Sequence, residues 1–325
     1  MKTISSSTNI RDFQIRNRIV LPPMQTGKAG ETGEVTEELI KHYEQYCPDV
    51  GLIIVEHSFV HSSGKYSDGQ LGIDRDQLVP GLETLAKRIK QGRSTVLIQL
   101  NHAGLKAREP KIDLLDFDYE GSLTKYKRAE LDRIVDFFGE AARRASEAGF
   151  DGVEIHGAHG FLLSQFVSPI TNDREDEYGG AFSNRTRLAA RVVEEVRSEI
   201  GDRILSYRLG ATDLDSRGTT VEEARRLAAE LEGLGVDLFD VSGGLCGGSP
   251  DELDGEQGYF VPHAQAVGEL VSGPVVGVGG IVDPGYANGL VEEEKVDLVA
   301  VGRAQLSDPS WATRALTEVN DEKTN

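Results

Sequence analysis

Residues 274–303 read PVVGVGGIVDPGYANGLVEEEKVDLVAVGR, and this stretch decides the fold. It opens with a short apolar, β-branched run, Val275 to Val278, and turns at Gly279-Gly280. Apolar residues at helical spacing follow from Pro284 to Val291, then a second apolar run, Leu298 to Val301, closed by Gly302-Arg303. Short continuous apolar runs bounded by glycine read as strands buried on both faces, and apolar positions three and four apart line one face of a helix. Strand, helix, strand with both strands wholly apolar implies parallel pairing through a right-handed crossover.

The same alternation extends back along nearly the whole chain. Further strand-like runs are Ile19 to Pro22, Val50 to Val55, Thr95 to Leu100, Gly152 to His156, Ile204 to Leu209 and Leu238 to Ser242. The helical segments between and after the runs are Thr36 to Tyr46, Leu78 to Gln91, Ala129 to Ala148, Asn184 to Ile200, Val221 to Leu234, His263 to Val271 and Pro309 to Val319. Eight such units in 325 residues match a (β/α)8 barrel, for which about 250 residues is typical. The expected fold is therefore α/β, a single-domain TIM barrel over residues 1–325 with an N-terminal extension and no second domain. A doubly wound sheet would normally carry a glycine-rich dinucleotide turn after its first strand, where Pro22-Pro23-Met24-Gln25-Thr26-Gly27 stands instead. The longest irregular stretch, Gly104 to Tyr126, follows the third strand, where a barrel places a loop over its active face.

Composition narrows the function. With 54 acidic against 35 basic residues the net charge is −19, which argues against a nucleic-acid partner, since such proteins draw affinity from clustered Lys and Arg. The excess of acid fits a solvated surface or a halophilic source. No apolar stretch approaches the roughly 18 residues needed to span a bilayer, and Met1 to Asn9 lacks an apolar signal core, so a cytoplasmic protein is expected. Cys47 and Cys246 are the only cysteines, too few for a disulfide framework or a cysteine-built metal site.

In a barrel the residues ending the eight strands converge on one mouth. Here they are Pro23-Met24-Gln25-Thr26, Glu56-His57, Gln99-Leu100-Asn101-His102, His156-Gly157-Ala158-His159, Arg208, Ser242-Gly243-Gly244, Gly279-Gly280 and Gly302-Arg303. Glycines in the seventh and eighth loops suit a phosphate cup, with Arg303 adding charge; tight turns are the alternative reading. Gln99 and Arg208, polar at the inner ends of buried strands, read as donors to an electron-accepting ring or as internally paired groups. His156 and His159 can present two imidazoles to one anionic or carbonyl oxygen. Metal binding with His57, His102 and Glu56 competes, but the glutamine, arginine and glycine company suits an organic cofactor better.

Several longer runs carry a resemblance. Asn17 to Met24, Gly149 to Gly160, Ser164-Gln165-Phe166 through Asn172 and Arg174, Tyr178-Gly179-Gly180 with Asn184-Arg185, and Asp297 to Arg303 resemble the old yellow enzyme family. These are NAD(P)H-dependent flavin oxidoreductases on a (β/α)8 barrel. The resemblance implies non-covalent FMN across the mouth, with Pro23, Met24, Gln25 and His57 beside it, Gln99 and Arg208 at its pyrimidine side, and Gly279, Gly280, Gly302 and Arg303 near its phosphate. It also implies NADPH or NADH as reductant. His156 and His159 would hold the oxygen of a conjugated carbonyl or quinone-like acceptor, with Phe161 and Tyr66 at the substrate and hydride passing from flavin N5 to the C=C bond. Family members are often dimers or tetramers.

Two positions depart from the family pattern. Phe161 stands where most ene-reductases have a proton-donating tyrosine, so the acid must be another group or water, or the reaction is a dehydrogenation, quinone reduction or double-bond isomerisation. Gln25 stands where a Thr or Cys is common. Tyr66 and Tyr259 lie in loops within reach of the mouth, a surface role being the alternative for each. The chain lacks the four cysteines of the iron–sulfur relatives, which leaves FMN as the expected sole cofactor. A phosphate-binding aldolase or isomerase would need a mouth lysine or metal cluster, and no strand ends in lysine. A non-catalytic flavin-binding protein stays open.

Overall fold

The apolar runs form strands, and the strands close. The computed structural model describes residues 2–107, 121–253 and 255–322. A two-stranded antiparallel hairpin, β1 (Thr8–Ile10) and β2 (Phe13–Ile15), precedes eight barrel strands. These are β3 (Ile19–Leu21), β4 (Leu52–Phe59), β5 (Thr95–Asn101), β6 (Gly152–Gly157), β7 (Ile204–Gly210), β8 (Leu238–Ser242), β9 (Val275–Gly277) and β10 (Leu298–Ala300). Each pairs in parallel with its sequence neighbour, and β10 returns to β3, so no edge is left open.

The helices are α1 (Glu37–Glu44), α2 (Val79–Gln91), α3 (Arg128–Glu147), α4 (Leu162–Val167), α5 (Phe182–Arg185), α6 (Arg187–Ile200), α7 (Val221–Gly233), α8 (Val261–Gly268), α9 (Pro284–Glu292), α10 (Arg303–Ser307) and α11 (Trp311–Glu322). Helix α6 shows why they form and dock. Leu188, Ala189, Val192, Val193, Val196 and Ile200 recur at helical spacing and are all buried, and the helix stops at Gly201, whose φ is +56°. Burying each large apolar side chain contributes about 1.5–3 kcal/mol, so a charge at Val192 would undock the helix.

Boundaries differ from the sequence expectation where local chemistry intervenes. The segment expected as one helix over 184–200 is broken at Thr186 into α5 and α6. Helix α8 starts at Val261, with Pro262 in its first turn, and ends three residues before the expected Val271. Strand β4 runs on to Phe59 through a register shift between Val55 and Ser58. Such irregularities re-aim side chains, and this one lies at His57. Of the expected loop over 104–126, residues 108–120 lie outside the described residues; the flanks form 3-10 turns at Gly104–Lys106 and Leu123–Lys125.

The barrel interior is layered. Its lower part is apolar: Val20, Leu52, Ile54, Leu97, Ile204, Leu238, Val276 and Leu298 cluster with Ile10 and Ile15 of the hairpin. The N-terminal extension is therefore a plug under the barrel. Above it, strand register sets Gln99 beside Glu154, Glu154 beside Ser206, and Arg208 beside both His156 and Asp240. Polarity thus rises toward the carboxyl ends of the strands.

Candidate active site

Those carboxyl ends enclose a cavity of about 880 Å³. Pro23, Met24, Gln25, His57, Tyr66, His156, His159, Phe161, Arg208, Gly279, Gly280, Gly302 and Arg303 all line it. Gln99 does not; it lies beneath, fully buried. Tyr259 also lines the cavity and is only 8% exposed, so it is not a surface residue.

One wall is built of rings. Phe161 lies 4.8 Å from His156, 5.3 Å from His57 and 5.3 Å edge-on from Tyr66, centroid to centroid, and His159 lies 5.1 Å from His156. The His57 tautomer follows from a chain of hydrogen bonds that starts at a group able only to donate. The backbone N–H of Tyr66 donates to Gln70 Oε1 over 2.7 Å, which leaves Gln70 Nε2 to donate to His57 Nδ1 over 2.8 Å. His57 Nε2 then carries the proton and donates to Gln25 Oε1 at 3.3 Å, and the Gln25 amide nitrogen donates to Ser67 Oγ. His156 Nδ1 accepts from the Ala158 N–H at 3.3 Å, while His159 Nε2 is 2.8 Å from Ser242 Oγ. Burial holds the imidazoles neutral: His57 is pushed down to about 4, helped by Arg208, and His156 and His159 fall well below the free value. Each is thus a single N–H donor at neutral pH.

Beneath the cavity sits an ionisable layer that the sequence motifs did not single out. Glu154 accepts from Gln99 Nε2 at 2.8 Å and from Ser206 Oγ at 2.7 Å, and Asp240 Oδ2 is 3.1 Å from Arg208 Nη1. Burial, reinforced by Asp240, pushes the Glu154 carboxyl up to about 8; burial also raises Asp240, against the pull of Arg208. The signal for Glu154 and Asp240 was their place inside apolar strands, where a lone carboxylate is costly without partners. Gln99 Oε1 and Arg208 Nε have no hydrogen-bond partner among the described residues.

The opposite wall is bare backbone with a cation. A Cβ on Gly279 would stand 2.6 Å from the Tyr259 ring, and one on Gly280 would stand 2.5 Å from the Glu256 carbonyl, at φ values of +123° and +60°. Arg303 Nη2 donates to Tyr259 Oη at 3.3 Å, and that hydroxyl donates to the Gly248 carbonyl at 2.9 Å. The loop after β8 therefore reaches the cavity through Gly248, Ser249, Glu256 and Gln257, which sequence reading missed because no residue type there announces a ligand. His102 turns away, toward the Ser63 hydroxyl and the Gly104 N–H. Among the described residues no three His, Cys, Asp or Glu side chains gather as metal ligands.

Over residues 7–322 the chain matches the NADH:flavin oxidoreductase / NADH oxidase family. It belongs to that family. The NADH oxidase of Thermoanaerobacter brockii is 36% identical over 95% of this chain, and the chain spans only 50% of that longer relative. The NADPH dehydrogenase of Bacillus subtilis is 36% identical over 96% of this chain and 94% of its own. An old yellow enzyme homologue from Zymomonas mobilis superposes with a TM-score of 0.81 at 25% identity, covering 97% of this chain and 93% of that one. The protein is thus an FMN-dependent NAD(P)H oxidoreductase of the old yellow enzyme type.

The residues of this flavin oxidoreductase fit FMN on their own chemistry. Gln99 offers a buried acceptor with no partner among the described residues, Arg208 a buried cation at the cavity, and Gly279 and Gly280 a cradle that side chains would fill. Arg303 supplies positive charge on the glycine wall. No helix among the described residues is long and apolar enough to cross a membrane.

Proposed function

We propose that this enzyme reduces the C=C bond of small, electron-poor conjugated carbonyl compounds in the cytoplasm. The observation that carries the reading is the cavity's two-sided build: neutral imidazole donors with aromatic rings on one wall, bare glycine backbone and Arg303 on the other. When bound, FMN supplies two-electron chemistry, taking a hydride from NAD(P)H and returning it to the acceptor. Pro23, Met24, Gln25 and His57 flank the ring in this reading, Gln99 and Arg208 hold its polar edge, and Gly279, Gly280, Gly302 and Arg303 hold its phosphate.

His156 and His159 bind the substrate oxygen. Their N–H groups stabilise negative charge developing on that oxygen and make the conjugated carbon a better hydride acceptor. Neutral imidazoles serve this role by hydrogen bonding alone, and the buried site strengthens each bond. Phe161 and Tyr66 pack against the same substrate and exclude water from it.

The test is an anaerobic titration of the FMN-loaded protein with NADPH and with NADH, followed by a panel of enones and quinones. Bleaching of the flavin and its recovery by enones is the expected result. Recovery by quinone or oxygen alone would overturn the reading and mark the protein as a quinone reductase or oxidase.

A further inference from the structure

Burial keeps both cavity histidines neutral, so each ring carries one proton, and only the nitrogen that carries it can donate to a substrate oxygen. For His156 the backbone decides. Its Nδ1 accepts from the Ala158 N–H at 3.3 Å, which puts the proton on Nε2. For His159 the deciding contact is a side chain: Nε2 lies 2.8 Å from the hydroxyl of Ser242, the last residue of β8. Ser242 is fully buried, and among the described residues its hydroxyl has no other hydrogen-bond partner. Were Nε2 protonated, it would donate to the hydroxyl oxygen and leave the Ser242 proton buried without an acceptor. With Nε2 bare, the hydroxyl donates to it and both groups are satisfied.

His159 is held against this contact on several sides. Its backbone has a φ of +57°, a region that non-glycine residues seldom enter. That conformation is fixed by the His159 N–H donating to the carbonyl of Gly243 at 3.1 Å and by Lys106 Nζ donating to the His159 carbonyl at 3.0 Å. On the far side Gly248 closes in: a Cβ there would stand 3.0 Å from His159 Nε2. Nδ1 has no hydrogen-bond partner among the described residues and is not sealed from the cavity that His159 lines.

We propose that Ser242 is a positioning residue that fixes the His159 proton on Nδ1, so that the pair offers a substrate oxygen Nε2–H from His156 and Nδ1–H from His159. The use of these two donors rests on the ene-reduction reading; the place of the proton rests on Ser242.

The experiment reads the tautomer directly. The FMN-loaded protein is labelled with 15N-histidine, and His159 is assigned by its absence in His159→Gln. The ring Hδ2 couples strongly to Nε2 and weakly to Nδ1, so the spectrum says which nitrogen is bare. Wild type is expected to show Nε2 bare and Nδ1 protonated; the reverse would overturn the proposal. In Ser242→Ala the tautomer ratio is expected to move about tenfold toward Nε2–H, the worth of one buried hydrogen bond. Because the substrate must then select the minor form, kcat/KM for an enone should fall by up to about the same factor. Ser242→Thr, which keeps the hydroxyl, should restore both, and flavin content and melting temperature report whether each variant is folded and loaded. A loaded Ser242→Ala protein whose His159 keeps its proton on Nδ1, or whose tautomer moves with no loss in kcat/KM, would overturn the role given to Ser242. Wild type that shows Nδ1–H but reduces quinone and no enone would overturn the ene-reduction reading and leave the proton placement standing.

Discussion

Gln99 Nε2 donates to Glu154 Oε1 over 2.8 Å, and that bond leaves the Gln99 carbonyl oxygen buried with no partner among the described residues. An acceptor so placed is matched by an N–H of a planar ligand above it. Gln99→Leu is expected to raise the FMN dissociation constant about tenfold, the equivalent of about 1.4 kcal/mol for one hydrogen bond. Quenching of FMN fluorescence on titration into apoprotein checks it, and a constant within twofold of wild type would count against this use of the acceptor.

Arg208 and Asp240 form a buried pair at 3.1 Å. Removing one member leaves the other uncompensated, so Arg208→Gln is expected to lose about 3–5 kcal/mol of stability. The double variant Arg208→Gln with Asp240→Asn should recover much of that loss. Denaturant unfolding of the apoprotein completes the double-mutant cycle, and strict additivity would show that the pair is not coupled.

The pH dependence of stability has opposing arms. His57, His102, His156 and His159 are held below the free imidazole value by burial, so the unfolded chain binds more protons and stability falls as pH drops below about 6.5. Glu154 and Glu56, pushed up by burial to about 8 and about 7, keep protons that unfolded carboxyls have lost, so their contribution declines as pH rises toward those values. Below about 6.5 the four imidazoles outweigh the two carboxyls, and above it only the carboxyls still act. The apoprotein melting temperature is therefore expected to peak near pH 6.5, and Glu154→Gln to flatten the fall between pH 7 and 8.

Gly280→Ala places a methyl 2.5 Å from the Glu256 carbonyl at a φ of +60°. Backbone cannot yield there as a flexible side chain would, so the loop must shift. FMN affinity is expected to drop at least tenfold, read by flavin retention on gel filtration.

Both thiols are buried and pushed up to about 12. The native protein should therefore react with a thiol-specific disulfide reagent orders of magnitude more slowly than the unfolded chain. Rapid labelling of Cys246 would contradict its placement.

The barrel was legible because its strands are apolar on both faces, a pattern that survives any local detail, and Leu238–Ser242 matches the expected span to the residue. The hairpin was not, since Thr8–Ile10 and Phe13–Ile15 are too short to show a period. His156, His159 and Arg208 stood out as polar residues ending apolar strands. Gly248, Ser249, Glu256 and Gln257 did not, because their place at the cavity comes from the course of a loop and not from side-chain pattern. The use of Gln25 was also hidden: its amide is oriented by His57, and His57 by Gln70, a relay across three separate segments.

The hairpin under the barrel has an electrical consequence far from where it sits. Ile10 and Ile15 close the base of the interior, so the medium around Glu154 and Asp240 keeps a low dielectric constant. Were those two isoleucines replaced by short polar residues, water entering from below would solvate both carboxylates, lower the proton affinity of Glu154 and weaken the field that Arg208 projects into the cavity. The first fifteen residues thus act on the chemistry of the mouth through the insulation they provide, without touching it.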